Sequence, residues 1–596
     1  TITTADLAGG PLEQRYRGDE PLIYFGGEKT FYTSEEAITQ SRDAVQISGL
    51  GIPGNIFLVN GLFPDASNNP VIDITDTFQI DLGSGDDTFT FNFSPNAGIE
   101  LNTGAGNDSV AVRLIDGDIT LNLGEGDDLV AVGSQAGYWE TGDITGRQPF
   151  NEPAVEDAEF INVLGDLNSI NGSVIVNGGT GIDRVSIDDT KDVIGNIGTL
   201  TGTELSGFGI SAGSGVIYNN DDRVEFVDIA LGSGDDVLRV ASTDDALFTR
   251  IEGRSGNDTF NIESTSSATN IFGDSEFGAV MVGFRTFDVA PGDDLFRVGS
   301  LASDSVNRVQ SALGLIDGRL RLFGGGTNDA VDASGNPTVT NTNGQDGDEV
   351  IFYNGGGGSG NGVLEGSQLL GYGMDAGVAY TDIQSITLRL ADARDTLFIA
   401  GTHTGKTEVI GGDEVGAGDI INIGAISGPT IINGGAGDDI IRVNYDQNGI
   451  QTFESGVTSS LTLKGQNGSD IYEIGLAGLA TATVDIIDDA GALDTGNDRV
   501  RIFGNDDDNI FLFRANQLSD RGVVASYQVD ENLLPVAGGF IERVNYNSDI
   551  ELIDVSGRGG DDTFVFDDTL SGITVRGDEG DDTFQLGQVF SSARNG

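Results

Sequence analysis

The 596-residue sequence has no cysteine, one histidine, one tryptophan, and 30 lysines and arginines against 94 aspartates and glutamates. Without cysteine there is no disulfide framework, no thiolate nucleophile and no Cys-ligated zinc or iron–sulfur centre. A single histidine excludes a multi-histidine metal centre and argues against a His-based triad. The formal net charge of −64 repels phosphate backbones and anionic headgroups, which speaks against nucleic acid as a partner. No run of 18 apolar residues occurs, so no helical membrane span is expected. The chain opens at Thr1 without a basic and apolar leader, which puts any export signal outside this sequence.

Glycine, at 91 residues, is about twice as frequent as in average proteins, and it falls in a recurring phrase. A glycine turn leads into a carboxylate pair and then alternating apolar residues. Clear copies are Gly83-Ser-Gly85-Asp86-Asp87-Thr-Phe89-Thr-Phe91, Gly104-Ala-Gly106-Asn107-Asp108-Ser-Val110-Ala-Val112 and Gly124-Glu-Gly126-Asp127-Asp128-Leu-Val130-Ala-Val132. Later copies run from Gly232 to Val240, Arg254 to Ile262, Gly292 to Val298, Gly435 to Val443, Gly559 to Phe566 and Glu579 to Leu586. Arg254 stands where the first glycine is expected. Where copies are adjacent, their second acids lie 20 to 22 residues apart; other gaps reach 53 to 55, which we read as turns carrying insertions or turns that have lost the phrase.

A second alternating stretch precedes the glycines, as in Ile80-Asp-Leu82, Ile99-Glu-Leu101 and Ile119-Thr-Leu121. Two period-two strands in about 20 residues leave room for tight turns and none for a crossover helix. The expected fold is therefore all-β, an elongated parallel β-solenoid (β-roll or β-helix) with loop insertions, in which each strand stacks on its copy one turn later. Twenty to thirty turns at about 4.8 Å each give a length on the order of 100 to 140 Å. Inward ladders such as Phe89, Val110 and Val130 would form the core. Residues 1–75 lack the phrase and form an N-terminal cap or adapter, with a short helix expected near Ser34; residues 76–596 form the solenoid. The last turn runs into Ser591–Gly596 without a polar closing element, which points to a piece of a longer chain or to docking onto another copy.

Stacking places the acidic turns in one column along one edge, and carboxylates one rung apart repel unless a cation neutralises them. With oxygen donors and no sulfur or imidazole, Ca2+ suits the set better than Zn2+ or Cu2+. Gly178-Gly-Thr-Gly181-Ile-Asp183-Arg-Val185-Ser and Gly434-Gly-Ala-Gly437-Asp-Asp439-Ile-Ile441-Arg each match a full nonapeptide. In this the chain resembles the repeats-in-toxin calcium-binding family, and among its members the large bacterial cell-surface proteins. The resemblance implies a parallel β-roll whose sixth-position aspartates and turn carbonyls hold Ca2+. Carried over by position, the ligands would be Asp87, Asp108, Asp128, Asp183, Asp236, Asp258, Asp294, Asp439, Asp498, Asp562 and Asp582. The strongest are those with a neighbour one turn away, such as Asp87 with Asp108 or Asp562 with Asp582; Asp498 lacks one. Family repeats run in tandem every nine residues, whereas here one copy falls in each turn of about 20. The competing reading is that Gly-Asp and Asn-Asp simply form turns without metal.

His403, in Gly401-Thr-His-Thr-Gly405, is expected in an exposed loop, and Asn505-Asp-Asp-Asp-Asn509 is a further acidic turn that could hold a cation. The function expected is that of an extracellular, non-enzymatic structural protein, secreted or on the bacterial surface: a calcium-stabilised segment of a surface layer, filament or giant adhesin. Its partners would be copies of itself, other cell-surface proteins or polysaccharide. One rival is a β-helix enzyme acting on polysaccharide (lyase, hydrolase or epimerase), which would need acids, Arg or Lys and aromatics together on one strand face. The other is a calcium-dependent ligand-binding module, which would need a pocket built from insertions such as 133–173 or 263–290.

Overall fold

In the computed structural model, residues 78–587 are described apart from 93, 95–97, 137–164, 219–223, 246–247, 275–279, 283–284, 288–291, 308–309, 326–346, 357, 453, 455, 478–481, 489–495 and 529–539. Before residue 78 it describes only six short strands, from Leu22–Tyr24 to Pro70–Val71. The helix expected near Ser34, Trp139, most of the 133–173 insertion and part of the 263–290 insertion lie outside the described residues. Among the described residues the fold is all-β and its main sheet is mostly parallel, as the alternation requires. The chain divides into two compact units, residues 1–295 with 320–346 and residues 296–319 with 347–596.

The first unit winds as expected. Phe78–Ser84, Ile99–Ala105, Ile119–Glu125 and Val174–Thr180 stack in parallel as one column of strands. Thr88–Phe91, Ser109–Val112, Leu129–Val132 and Arg184–Asp188 stack as the next. Phe89, Val110, Val130 and Val185 share one register and are all buried. This is the predicted ladder, and its burial is stabilising by about 25 cal/mol per Å² of apolar surface. The 55-residue gap between Asp128 and Asp183 is one turn with an insertion, since the strands on either side stay in register.

The 53-residue gap that follows has a different cause. Ile197–Leu200, Glu204–Gly207 and Val216–Tyr218 form an antiparallel meander inserted between two turns. Beyond it, Phe226–Ala230, which precedes the next acidic turn, lies on Arg184–Asp188, which followed the previous one. The acidic turn has thus moved on by one strand stack. The second unit repeats the step, with meanders at Asn361–Glu365, Gln368–Gly371 and Val378–Thr381 and at Asn509–Asn516, Arg521–Gln528 and Ile541–Tyr546. There Ser385–Arg389 lies on Glu349–Tyr353, and Ile550–Arg558 on Asp498–Phe503. The single acidic edge expected from the repeat is therefore corrected: the column is cut into segments, each on a new edge.

The turn survives loss of its first glycine. Gly83, Gly104 and Gly124 take φ of 103° to 112°, and the residues at the same position elsewhere, Arg254, Gln466, Arg558 and Asp578, take φ of 74° to 81°. A left-handed non-glycine residue costs about 1–2 kcal/mol, part of which glycine would lose again through its greater freedom in the unfolded chain. Gln466 contributes its backbone N–H to Asp488 Oδ1 at 3.2 Å, a bond glycine keeps. Gln466→Gly is expected to raise stability by about 0.5–1 kcal/mol, read from chemical denaturation; a loss would show that the side chain, not the backbone, matters there.

Candidate metal centre

Each acidic turn presents two side chains with opposite fates. The first, carried by Asp86, Asn107 and Asp127, stays on the solvent side. It accepts a backbone N–H from the next turn: Asn107 N–H to Asp86 Oδ1 at 2.9 Å, Asp127 N–H to Asn107 Oδ1 at 3.0 Å, Ile182 N–H to Asp127 Oδ1 at 2.9 Å. The second points inward. Asp87 N–H donates to Asp108 Oδ1 at 2.7 Å, Asp108 N–H to Asp128 Oδ1 at 2.6 Å, and Asp128 N–H to Asp183 Oδ1 at 3.0 Å. One carboxylate oxygen per turn thus supplies the acceptor that a tight turn cannot find within itself.

The inner column follows the segmentation of the fold. In the first unit it ends where Asp183 N–H meets Glu225 Oε2 at 2.8 Å, and a new column begins with Asn196, whose N–H meets Asp236 Oδ1 at 2.7 Å and leads to Asp258 and Asp294. In the second unit one column starts at Gly360 and runs through Asp395, Asp419, Asp439, Asp470 and Asp498 to Glu551. Another starts at Asn509 and runs through Asp562 to Asp582. All eleven predicted residues occupy the inner position. Nine are buried, while Asp87 and Asp582, at column ends, are half-buried. The Asn505–Asn509 run is one more such turn, with Asp508 in the outer position accepting Asp561 N–H at 2.7 Å and Asn509 in the inner one.

Three members escaped the sequence reading as ligands: Asp395, Asp419 and Asp470, each fully buried. Asp470 follows Gly465-Gln-Asn-Gly468, a glycine spacing that would have found it; Asp395 follows Ala391-Asp-Ala-Arg, which has no glycine at all. The standing of Asp498 as an isolated motif is also corrected. Its Oδ1 accepts Asp470 N–H at 2.8 Å, and ligand atoms of Asp470, Asp488 and Asp498, all buried, lie within 4.8 Å of one another. The Tyr472 hydroxyl is 3.4 Å from Asp488 Oδ2.

The second oxygen of the inner carboxylate is where the column is electrostatically incomplete. Oδ2 of Asp128, Asp183, Asp258 and Asp562 is buried without a hydrogen-bond partner. At Asp258 and Asp562 it packs on the bare Cα of the glycine five residues earlier, Gly253 and Gly557, where a Cβ would overlap it. Burial first, then the neighbouring carboxylates of the column, pushes these groups above the usual carboxylate range: Asp128 to about 6, Asp183 to about 7, Asp258 to about 9. Asp562 rises to about 7 and Asp498 to about 8 for the same reasons. A carboxyl so placed is stabilised either by a proton or by a cation. Buried all-oxygen donors with orphaned Oδ2 atoms fit a hard divalent ion, and among the described residues Asp470, Asp488 and Asp498 are the most closely converged set.

His403 is half-buried, edge-on to Tyr380 at 6.4 Å between ring centroids, with Nδ1 3.3 Å from the Thr407 hydroxyl. Burial lowers its pKa, so the exposed loop histidine expected from sequence is instead a neutral packing residue. No family model matches the chain, and no curated protein matches it significantly. The class defined by fold and site is thus a segmented parallel β-solenoid with buried aspartate columns.

Proposed function

We infer that the protein is a calcium-stabilised structural segment of a bacterial surface layer, filament or adhesin, working outside the cell. The observation that carries this reading is the buried triad Asp470, Asp488 and Asp498, set within 4.8 Å in a chain of net charge −64. Three carboxylates so close cannot all ionise without a counter-charge. Bound calcium would supply that charge, and its binding free energy becomes folding free energy. The aspartates hold the turns in register through Oδ1 and present Oδ2 inward; the outer Asp and Asn side chains lace the turns together at the surface. The resemblance to repeats-in-toxin proteins supports the same ion. A cytosol poor in calcium would leave the chain marginally stable and fit for export, and external calcium would lock the fold. Far-ultraviolet circular dichroism of the full chain at pH 8, held near its melting midpoint in chelator, is expected to show a cooperative gain of β signal on adding calcium, reversed by chelator. An unchanged signal removes the mechanism.

The enzyme reading is favoured by one observation. In the second unit, Arg442 Nε lies 2.6 Å from Glu473 Oε2 and Arg501 Nη1 2.9 Å from Glu473 Oε1, in one register, with the Arg442 guanidinium 5.9 Å from the Tyr445 ring centroid. Acid, bases and an aromatic do share a face. Although burial opposes it, hydrogen bonding from both arginines holds Glu473 below its ordinary value. A carboxylate kept ionised between two guanidiniums is built to brace rungs, not to donate a proton, so the structural reading stands first.

A further inference from the structure

The turn that leads to Asp498 departs from its neighbours at one residue. In four turns of the second unit a glycine stands five residues before the inner aspartate, at Gly434, Gly465, Gly557 and Gly577, and a Cβ there would overlap the aspartate's Oδ2. Parallel pairing of Leu461–Asn467 with Ala482–Ile486 sets Leu463 beside Ile486, and Ile487 N–H donates to the Leu463 carbonyl at 2.9 Å. The same register puts Asp488 beside Gly465. A carboxylate therefore occupies the place where the preceding turn has a bare Cα.

The surrounding groups close on that point. Asp470 Oδ2 and the Tyr472 hydroxyl both lie against the Cα of Gly465, and the hydroxyl is 3.4 Å from Asp488 Oδ2. Ligand atoms of Asp470, Asp488 and Asp498 lie within 4.8 Å of one another. Two oxygens that each sit about 2.3–2.6 Å from one ion can have that separation. All four side chains are buried, Tyr472 points its hydroxyl into the group, and the charges that press on it are those of the same three aspartates. Among the described residues no other three carboxylates converge in this way.

The ligands are also fixed in advance. Asp488 Oδ1 accepts Gln466 N–H at 3.2 Å, while its own N–H donates to Asn547 Oδ1 at 3.2 Å and its carbonyl accepts the Asn547 amide at 2.6 Å. Asp470 Oδ1 accepts Asp439 N–H at 2.8 Å, and Asp498 N–H donates to Glu551 Oε2 at 2.7 Å.

We propose that Asp470, Asp488, Asp498 and the Tyr472 hydroxyl enclose the tightest calcium site of the chain, the first to fill and closed to Mg2+. This rests on the calcium reading above and adds rank and selectivity to it. Affinity for Ca2+ rises with the number of charged ligands and with the rigidity of the site. Each turn of a column brings one inner carboxylate, whereas here a third joins two from consecutive turns. Selectivity follows from enclosure. An ion entering so buried a site sheds its waters, which Mg2+ gives up reluctantly. The ion also ties two strand stacks together, since Asp470 and Asp498 belong to the acidic column and Asp488 follows the strand before it.

The test uses the full chain, stripped by chelator, with calcium alone and with calcium against excess magnesium. Isothermal titration at pH 8 is expected to show one calcium bound about tenfold or more tighter than the rest, and retained in magnesium. Asp488→Gly, which matches the neighbouring turns, and Asp488→Asn, which keeps an acceptor for Gln466 N–H, are each expected to lose that ion and keep the others. Calcium ions of a single affinity, displacement of the first ion by magnesium, or an undiminished first ion in both variants overturns the proposal and leaves the calcium reading intact. No calcium bound at all overturns both. Should the variants fail to fold, wild-type crystals grown with equimolar calcium decide. Their anomalous peak is expected about 2.3–2.6 Å from an Asp488 carboxylate oxygen; a peak in other turns with none beside Asp488 refutes the proposal alone.

Discussion

In chelator the protein is expected to melt at a higher temperature at pH 5 than at pH 8, by on the order of 10 °C, and calcium is expected to abolish the difference. Asp183 and Asp562 are pushed to about 7, Asp498 to about 8 and Asp258 to about 9, whereas in the unfolded chain such groups titrate near 4. Between about pH 4 and those raised values the folded chain holds more protons than the unfolded one, so stability falls as pH rises through that window. Below about pH 4 both states are protonated and the dependence vanishes. A cation that replaces these protons binds the ionised form, so its stabilising effect is largest at pH 8 and small at pH 5. Thermal melts at the two pH values, with calcium and with chelator, check all four corners. A chelated protein that is more stable at pH 8 would contradict the account.

Asp258→Asn is expected to change sign with calcium. Asp258 Oδ1 accepts Asp236 N–H at 2.8 Å, an acceptor that asparagine keeps, while its Oδ2 has no partner. Without calcium, replacing a carboxyl that must take up a proton to stay buried is expected to stabilise the protein at pH 8 by about 1–3 kcal/mol. With calcium, the same substitution removes a ligand and the variant becomes the less stable of the two. Denaturant midpoints for wild type and variant, with and without calcium, read this directly. A variant that is destabilised to the same extent in both conditions would mean that the carboxylate is structural and never meets a metal.

Much of this was legible in the sequence because it is local. Strand, turn and strand are written within 20 residues, and alternation alone put Phe89, Val110 and Val130 in one register. What was not legible depends on contacts across insertions. Asp498 looked solitary because Asp470 is 28 residues away, yet the two are neighbours in the column. Asp395 carries no glycine signal, because the turn needs an acceptor at that point more than it needs a particular residue before it. Gln466 hid its turn by taking the left-handed backbone that glycine usually marks. The meanders were invisible as such, since an antiparallel strand alternates like a parallel one. Only the register between Arg184–Asp188 and Phe226–Ala230 reveals that the acidic edge has moved.

The most direct measurement is the number of calcium ions retained by the folded chain, counted by native mass spectrometry at pH 8 and again at pH 5. Several ions per chain at pH 8, displaced at pH 5 without unfolding, is the predicted result. A folded chain of bare polypeptide mass at pH 8 in millimolar calcium would show that protons and backbone N–H groups alone sustain the aspartate columns.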